Sequence, residues 1–199
     1  LPLPPLLIAV GIWSLVTGAV YAVWGNYMVE SLQYSQGQMT RLWGIASLSE
    51  LPLMILAGWL GDRLGRLPML SIGLTAWTGV FAGYLLVPTM PWIVGVQLLR
   101  GFAYSAHTAT AMTYAAEVRD RAHRGRISGL YGVAGAIGGI VGTSLGGVLT
   151  EYGGFRVMIG VCTALVFAGA LYLGIAALVH RRHKRERLAD STADGMVRT

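Results

Sequence analysis

Long apolar runs limit the possible folds of this chain more than any other feature. Hydrophobic residues make up 54% of the 199 residues and charged residues only 12%, a balance typical of a multi-pass membrane protein. A helix needs about 20 apolar residues to cross about 30 Å of hydrocarbon. The sequence therefore predicts an all-α membrane protein with six transmembrane helices, at residues 6–24, 39–60, 69–87, 91–118, 127–150 and 157–179.

Basic residues lie almost entirely on one side of these predicted helices. Of the 15 Lys and Arg residues, only Arg41 and Arg156 lie on the opposite side and only Arg100 lies deep within a span. Because basic loops remain in the cytoplasm, we expect a protein of the cell inner (plasma) membrane with both termini of this segment cytoplasmic. Residues 180–199 are expected to be a basic, disordered cytoplasmic tail. The net charge of +6 thus indicates membrane topology, and no nucleic-acid partner is expected.

A short charged stretch, Gly-Trp-Leu-Gly-Asp-Arg-Leu-Gly-Arg at residues 58–66, separates the second and third predicted helices. Its glycines permit a tight reversal of the backbone. Asp62 lies beside Arg63 and Arg66, so one anion is placed among cations at the membrane–water boundary. One interpretation is a solvated turn whose arginines anchor the cytoplasmic side.

The other interpretation comes from the pattern Gly-x-Leu-x-Asp-Arg-x-Gly-Arg. It resembles the loop between the second and third helices of each half of the major facilitator superfamily. This resemblance implies a cytoplasmic gate, in which Glu117 pairs with Arg63 or Arg66. The implied gate residues are Gly58, Asp62, Arg63, Gly65 and Arg66.

Glycine recurs every three or four residues along the fifth predicted helix. The positions are Gly129, Gly132, Gly135, Gly138, Gly139, Gly142, Gly146 and Gly147. Faces of small residues let helix backbones approach closely in lipid. Two interpretations remain open: the helix only packs tightly, or its smooth face slides during alternating access.

Three ionisable residues, Glu50, Arg100 and His107, lie deep within predicted helices. A charge near the bilayer centre costs about 2.5–3.5 kcal/mol on insertion scales, so such residues face a cavity or one another. Polar and aromatic residues at helical spacing predict one polar face on each of three helices. These are Ser14, Thr17, Tyr21 and Trp24 on the first, Trp43, Ser47 and Glu50 on the second, and Gln97, Arg100, Tyr104 and His107 on the fourth.

Three such faces predict a solute cavity near the membrane midplane. The candidate substrate and proton site consists of Glu50, Arg100, His107, Gln97, Tyr104, Tyr21 and Thr17. The sequence shows no metal-ligand cluster, no nucleophile with its base and no phosphate-binding loop, so we expect no cofactor, no metal and no enzymatic activity.

Each charged candidate also has a structural explanation. Glu50 and Arg100 form either an ion pair that locks two helices, or a site in which Glu50 binds substrate or carries a proton. His107 is either a neutral imidazole bonded to a neighbouring helix or part of a proton relay, which its unperturbed pKa of about 6.5 permits. Four aromatic residues are either packing residues or ligand stackers, namely Tyr21, Tyr104, Trp13 and Trp24.

The whole pattern of helices, charged loop and glycine-rich fifth helix resembles one six-helix half of a major facilitator transporter. Within that superfamily, the run Ser-Glu-Leu-Pro at residues 49–52 and the fourth helix from Pro91 to Tyr114 resemble the phenylpropionate permease branch, a relative of the lactose-type sugar:proton symporters. In both, these helices belong to the C-terminal half. The resemblance, together with a start that lacks Met, implies helices seven to twelve of a longer protein that needs an N-terminal half or a second copy.

By that similarity, Glu50 lies where lactose-type symporters place a sugar-binding carboxylate, and Arg100 lies where they place a histidine. Ala103 stands where they carry a proton-carrying glutamate, so this sequence departs from the lactose-type proton mechanism and from its disaccharide substrate. Arg100 with His107 suits an anionic substrate, such as an aromatic carboxylate, at least as well as a sugar. We therefore expect a secondary active transporter, a proton-coupled symporter of an aromatic carboxylate or a sugar that works by alternating access. The alternatives are a sugar or drug efflux permease and, from another class, a half-length membrane scaffold that transports nothing.

Overall fold

The computed structural model describes residues 3–86, 89–117 and 124–197, with side chains omitted for residue 124 and residues 183–197. The helices are α1 Leu3–Asn26, a π-helical turn Tyr27–Ser31, α2 Gln36–Leu64, α3 Arg66–Leu86, α4 Met90–Glu117 and α5 Arg124–Val197. No β-strand occurs in this part of the chain. The predicted all-α fold is therefore confirmed.

The longest helix, α5, is interrupted once. Gly154 has φ 75° and ψ 170°, which is not helical geometry. We call residues 124–153 α5a and residues 155–197 α5b. The sequence predicts a short loop at residues 151–156, whereas the backbone reverses its course at one glycine, because a residue without Cβ accepts positive φ without steric cost.

Four stretches are long and apolar enough to cross a membrane: Leu3–Ser31, Gln36–Leu64, Arg66–Leu86 and Gly125–Arg182. The last has 58 residues and contains the break at Gly154, and about 20 residues suffice for one crossing. Helix α4 is not among them, since it carries polar residues such as Gln97, Arg100 and His107. The division into six spans therefore stays a prediction.

Two of the predicted loops fall partly outside the described residues. Val87 and Pro88 precede α4, and residues 118–123, including Arg119 and Arg121, precede α5. At the other end, the backbone of residues 180–197 continues the α5 helix, where the sequence predicts disorder. The Arg, Lys, Glu, Leu and Ala residues of this segment have high intrinsic helix propensity.

Helices α1 and α5 pack together along the glycine face of α5a. A Cβ atom at Gly138 would lie 2.6 Å from the carbonyl oxygen of Gly11, and one at Gly146 would lie 2.5 Å from that of Ala19. Gly142 faces the Leu15 carbonyl in the same way. These distances leave no room for a side chain, so this face is a helix-packing surface. By contrast, Gly129, Gly132, Gly139 and Gly147 have no described neighbour within 4 Å of such a Cβ.

Helices α2 and α4 form the second close pair, which places the charged residues opposite each other. Gly101 of α4 packs on α2, where a Cβ atom would lie 3.1 Å from the carbonyl oxygen of Ala46. One turn further on, the Ser105 hydroxyl donates a hydrogen bond to the backbone oxygen of Glu50 over 3.0 Å. Pro52 lies inside α2 and removes one backbone hydrogen bond next to this contact. The pairing of α2 with α4 therefore brings Glu50 to the face of Arg100.

Candidate functional site

Arg100 and Glu50 form an ion pair between α4 and α2. The Nη2 atom of Arg100 lies 3.3 Å from Oε1 of Glu50. Arg100 is only 5% exposed, whereas the Glu50 side chain keeps 20% exposure. The Nε and Nη1 atoms of Arg100 are buried and have no hydrogen-bond partner among the described residues. Since buried donors are nearly always satisfied, Arg100 has spare capacity to bind an acceptor.

Aromatic rings from α1 and α2 surround this guanidinium. Its Cζ atom lies 4.0 Å from the ring centroid of Trp43 and 5.6 Å from that of Tyr21. The rings of Tyr21 and Trp43 lie 5.4 Å apart, and Trp77 of α3 lies 6.3 Å from Tyr21. The electron-rich faces of such rings attract a cation. Arg100 is therefore held by one carboxylate and by aromatic rings.

His107 lies two turns further along α4 and is fully buried. Its ring stacks on Trp13 of α1, with centroids 4.7 Å apart and planes at 21°. Neither ring nitrogen has a hydrogen-bond partner in the described part of the chain. Among the described residues, His107 therefore makes no hydrogen bond to a neighbouring helix, and its two interpretations stay open.

The other candidate residues occupy three different environments. Tyr104 is half-buried, with its ring 6.1 Å from that of Trp13. Gln97 is fully buried, and its Oε1 accepts a hydrogen bond of 3.4 Å from the Tyr84 hydroxyl of α3. Thr17 is buried and donates its hydroxyl hydrogen to the carbonyl oxygen of Trp13, 2.7 Å away in its own helix. Glu50, Arg100 and Tyr21 thus meet in one cluster and His107 and Tyr104 meet at Trp13. The side-chain oxygen of Gln97 and the hydroxyl group of Thr17 are bonded elsewhere.

Three tryptophans contact the candidate residues, although the substrate and proton site predicted from the sequence did not include them. Trp43 contacts Arg100 and Tyr21, Trp13 contacts His107 and Tyr104, and Trp77 contacts both Trp13 and Tyr21. We call these three residues the tryptophan wall. Trp43 shares the predicted polar face of α2 with Glu50, so its position was visible in the sequence. Trp77 is fully buried in α3, and its sequence pattern is that of an ordinary core residue.

The charged loop between α2 and α3 forms a second cluster. Gly65 has φ 94° and ψ 159°, a conformation accessible almost only to glycine, and it separates the two helices. Arg66 lies 2.8 Å from Oδ1 of Asp62 and 2.8 Å from Oε1 of Glu117. Arg63 instead places its guanidinium 4.0 Å from the ring centroid of Trp59. The expected pairing of Glu117 with one of the two arginines is confirmed, and the partner is Arg66.

The two clusters differ in chemistry. The buried cluster offers a cation, a carboxylate and aromatic surfaces, which suits a small organic solute. The loop cluster joins helix ends through ion pairs at a basic membrane boundary. Within the described residues, no group of three or more His, Cys, Asp or Glu residues is placed to hold a metal ion.

Comparison with known proteins shows the family of the chain. Residues 6–196 match the family model of the Major Facilitator Superfamily. An uncharacterised MFS-type transporter of Mycobacterium tuberculosis is 34% identical over 118 residues, which are 57% of this chain and 17% of that protein. The multi-drug resistance efflux pump PmrA homolog of Lactococcus lactis is 30% identical over 157 residues, 76% of this chain and 36% of the pump.

A third relative, from Deinococcus radiodurans and named for sugar efflux, is 26% identical over 174 residues, 84% of this chain and 43% of that protein. The chain therefore spans less than half the length of the curated relatives it matches. The family match nevertheless covers nearly all of it. The chain belongs to the Major Facilitator Superfamily, a family of multi-pass membrane transporters and not of enzymes.

Proposed function

We propose that this chain is the C-terminal six-helix half of a secondary active transporter in the cell inner membrane, with both ends of the segment in the cytoplasm. It moves a small organic solute together with protons by alternating access. One observation carries the proposal: Arg100 is buried, paired with Glu50, and retains two guanidinium nitrogens that have no hydrogen-bond partner among the described residues. A helix-locking ion pair alone does not require this unused binding capacity.

The chemistry of the cluster favours an aromatic carboxylate as the substrate. A guanidinium presents a planar fork of donors that matches a carboxylate in bidentate geometry. Trp43 and Tyr21 already lie against Arg100 and offer stacking surfaces to an aromatic ring. A sugar remains the second substrate class, because Glu50 can accept hydrogen bonds from hydroxyl groups.

The ion pair also supports proton coupling. When Glu50 binds a proton, it loses its negative charge and its attraction for Arg100 weakens. Arg100 is then free to take the substrate carboxylate in place of Glu50. Loss of the proton on the opposite side restores the Glu50–Arg100 pair and displaces the substrate. One proton and one substrate anion then cross together in each cycle.

The remaining candidates take supporting roles in this proposal. His107 and Tyr104 extend the cavity along the tryptophan wall toward the cytoplasm, while Gln97 and Thr17 lie at its edge. Asp62, Arg63 and Arg66, with Gly58 and Gly65, form the cytoplasmic gate, whose ion pairs must break when the cavity opens to that side. The other wall of the cavity comes from an N-terminal half or a second copy. We also propose that the protein is related to the phenylpropionate permease and lactose-type branch, because residues 49–52 resemble that branch.

Export is the second candidate function, and the names of the relatives favour it. The Lactococcus protein is named as a multi-drug efflux pump and the Deinococcus protein for sugar efflux. Export by antiport would require the opposite linkage, in which protonation of Glu50 releases the solute instead of admitting it. A scaffold that transports nothing is disfavoured, because it gains nothing from burying Glu50, Arg100 and His107.

Replacement of Glu50 by Gln tests the proposal. In membrane vesicles that contain the native protein, an imposed pH gradient should drive accumulation of labelled 3-phenylpropionate, with lactose as the sugar probe. Glu50→Gln should abolish this accumulation but keep exchange of substrate across the membrane, since glutamine resembles the protonated carboxyl group. Glu30→Gln is the matched control, because Glu30 is exposed in the turn after α1.

The outcomes separate the candidates. Accumulation by Glu50→Gln at the wild-type level would remove proton coupling through Glu50. Accumulation only in inside-out vesicles would establish export. Absence of both accumulation and exchange of either probe by the wild-type protein would overturn the proposed substrate classes.

A further inference from the structure

A groove outside the two clusters opens between α3 and α5b. It has a volume of about 270 Å³. Its lining includes Pro68, Ser71 and Ile72 from α3, and Gly174, Leu178 and Arg181 from α5b. It lies at the same end of the helices as the charged loop, since Pro68 follows Arg66 by two residues. We call it the inner groove.

The floor of the inner groove is predominantly apolar, and so is the surface beside it. On α5b, Ile175 and Leu178 are each 62% exposed and Val179 is 46% exposed. Gly174 has no side chain, and a Cβ atom there would first meet the Ser71 hydroxyl at 3.4 Å. Exposed apolar side chains of this kind suit contact with hydrocarbon.

A fixed cation lies at the mouth of the groove. The Nη2 atom of Arg181 donates a hydrogen bond of 2.7 Å to the carbonyl oxygen of Leu64, the last residue of α2. This bond holds the guanidinium in place, and the group has five N–H donors in total. Arg182 follows and is exposed, so the positive charge begins where the apolar surface of α5b ends.

We propose that the inner groove binds one anionic phospholipid from the bilayer. An acyl chain lies along Ile72, Gly174 and Leu178, and the phosphate group accepts hydrogen bonds from Arg181. Charge complementarity carries the choice of lipid: basic side chains at the membrane boundary attract anionic headgroups, and guanidinium groups bind phosphate in bidentate geometry. A zwitterionic lipid has the same chains but no net charge for Arg181 to attract.

Such a lipid would link three helices. Its chain contacts α3 and α5b, and its headgroup contacts the arginine that caps the end of α2. The end of α2 carries the Asp62–Arg66 pair. The bound lipid therefore stabilises the arrangement of helices in which this pair is formed, independently of the solute that the central cluster takes.

Native mass spectrometry of the protein tests this site. The protein is equilibrated with phosphatidylglycerol, phosphatidylcholine of the same chains, or free glycerol phosphate, and retained molecules are counted by mass. The wild-type protein should retain one phosphatidylglycerol in preference to the other two. Arg181→Gln should weaken that binding about fivefold, the effect of about one basic residue at a membrane surface. Arg182→Gln removes the same charge one residue away and should leave it unchanged.

A second pair of variants tests the apolar floor. Gly174→Leu fills the groove and should also weaken phosphatidylglycerol binding, whereas Gly160→Leu on the same helix meets no described neighbour and should not. The proposal would be overturned if Arg181→Gln retained as much phosphatidylglycerol as the wild-type protein. It would also be overturned if Arg182→Gln lost as much as Arg181→Gln, because the effect would then come from overall charge and not from one side chain. Equal binding of glycerol phosphate would also overturn it, since the acyl chain would then contribute nothing.

Discussion

Arg66, the first residue of α3, donates hydrogen bonds from Nε and Nη2 to the two carboxylate oxygens of Glu117 at the end of α4, over 3.1 and 2.8 Å. The same guanidinium lies 2.8 Å from Oδ1 of Asp62 near the end of α2. One arginine side chain therefore joins the ends of three helices. This explains why two basic residues three positions apart have different roles, since Arg63 lies over Trp59 instead.

A double-mutant cycle on Arg66 and Glu117 should detect their pairing. We expect Arg66→Gln and Glu117→Gln to show a coupling of about 0.5–1 kcal/mol in the free energy of unfolding. The value is small because the Glu117 side chain is 42% exposed and water screens the pair. Denaturant unfolding in mixed micelles, followed by tryptophan fluorescence, measures each variant.

The matched cycle uses Arg63 with Glu117. Arg63 forms no ion pair among the described residues, so its coupling with Glu117 should be near zero. Coupling of equal size in both cycles would mean that the loop carries a diffuse charge effect and no specific pair.

Substitution of Gly65 by Ala should destabilise the turn between α2 and α3. Gly65 has φ 94° and ψ 159°, where a Cβ atom costs about 1–3 kcal/mol. Gly58→Ala is the control: Gly58 lies inside α2, a Cβ atom there meets no described neighbour, and alanine favours a helix by about 1 kcal/mol over glycine. Unfolding free energies should thus fall for Gly65→Ala and stay level or rise for Gly58→Ala. The reverse order would contradict the geometry of this turn.

Along α5a, alanine should be tolerated at a glycine that points away from α1 but not at a glycine that packs on α1. Gly142→Ala places a methyl group against the Leu15 carbonyl of α1, and the required shift of the helices should cost about 1–3 kcal/mol. Gly139→Ala, three residues away, places a methyl group where no described residue lies within 4 Å, and it should be neutral or stabilising. Thermal unfolding of both variants in the same detergent checks this.

This pair of variants also separates the two interpretations of the glycine-rich helix. If Gly142→Ala lowers stability and transport together, the face serves packing. If its stability is unchanged and transport alone is lost, the face moves during the cycle. A Gly139→Ala protein that is less stable than Gly142→Ala would contradict the contact with α1.

His107→Phe separates a proton relay from a packing role. Phenylalanine preserves the stacking on Trp13, and no described hydrogen bond is lost because both imidazole nitrogens lack partners. The unfolding temperature should therefore change little. If His107 takes part in transport, accumulation of 3-phenylpropionate should fall about tenfold or more, within the range that general acid–base groups contribute.

The control for this variant is His180→Phe, at an exposed position near the end of the apolar part of α5b. It should retain wild-type accumulation. Wild-type transport by His107→Phe would instead assign His107 to the core, in the same class as Trp13.

Much of the fold can be predicted from the length of the apolar runs. This prediction is less accurate at α4 and α5. Helices α1, α2 and α3 lie on the first three predicted spans because their apolar residues form long uninterrupted runs. Helix α4 is a helix of the expected length, although its polar residues lower its hydropathy. The loop predicted at residues 151–156 is a single-residue break at Gly154, because run length locates a reversal only to within several residues.

The candidate site, like the fold, could be predicted from the sequence only in part. Helical spacing grouped Glu50 with Trp43 and Arg100 with His107 on common faces, since side chains three, four or seven positions apart share one side of a helix. Glu50 and Trp43 both contact Arg100, whereas His107 stacks on Trp13. It also grouped Gln97 with Arg100, yet the side chain of Gln97 bonds to Tyr84 of α3. Thr17 shares a face with Tyr21, yet its hydroxyl bonds within α1. Residues on one face can still turn toward different neighbours.

The sequence by itself determined the all-α membrane class of the protein and the positions of α1, α2 and α3. Run length, glycine spacing and charge act locally along the chain, so they can be recognised without knowing which helices are neighbours. Only the tertiary structure decided that Arg66 and not Arg63 pairs with Glu117, that Trp43 lies over Arg100, and that Trp77 joins the two parts of the cluster. These contacts depend on the rotation and depth of each helix relative to the next, which packing of glycines such as Gly101 and Gly142 sets across long separations in sequence.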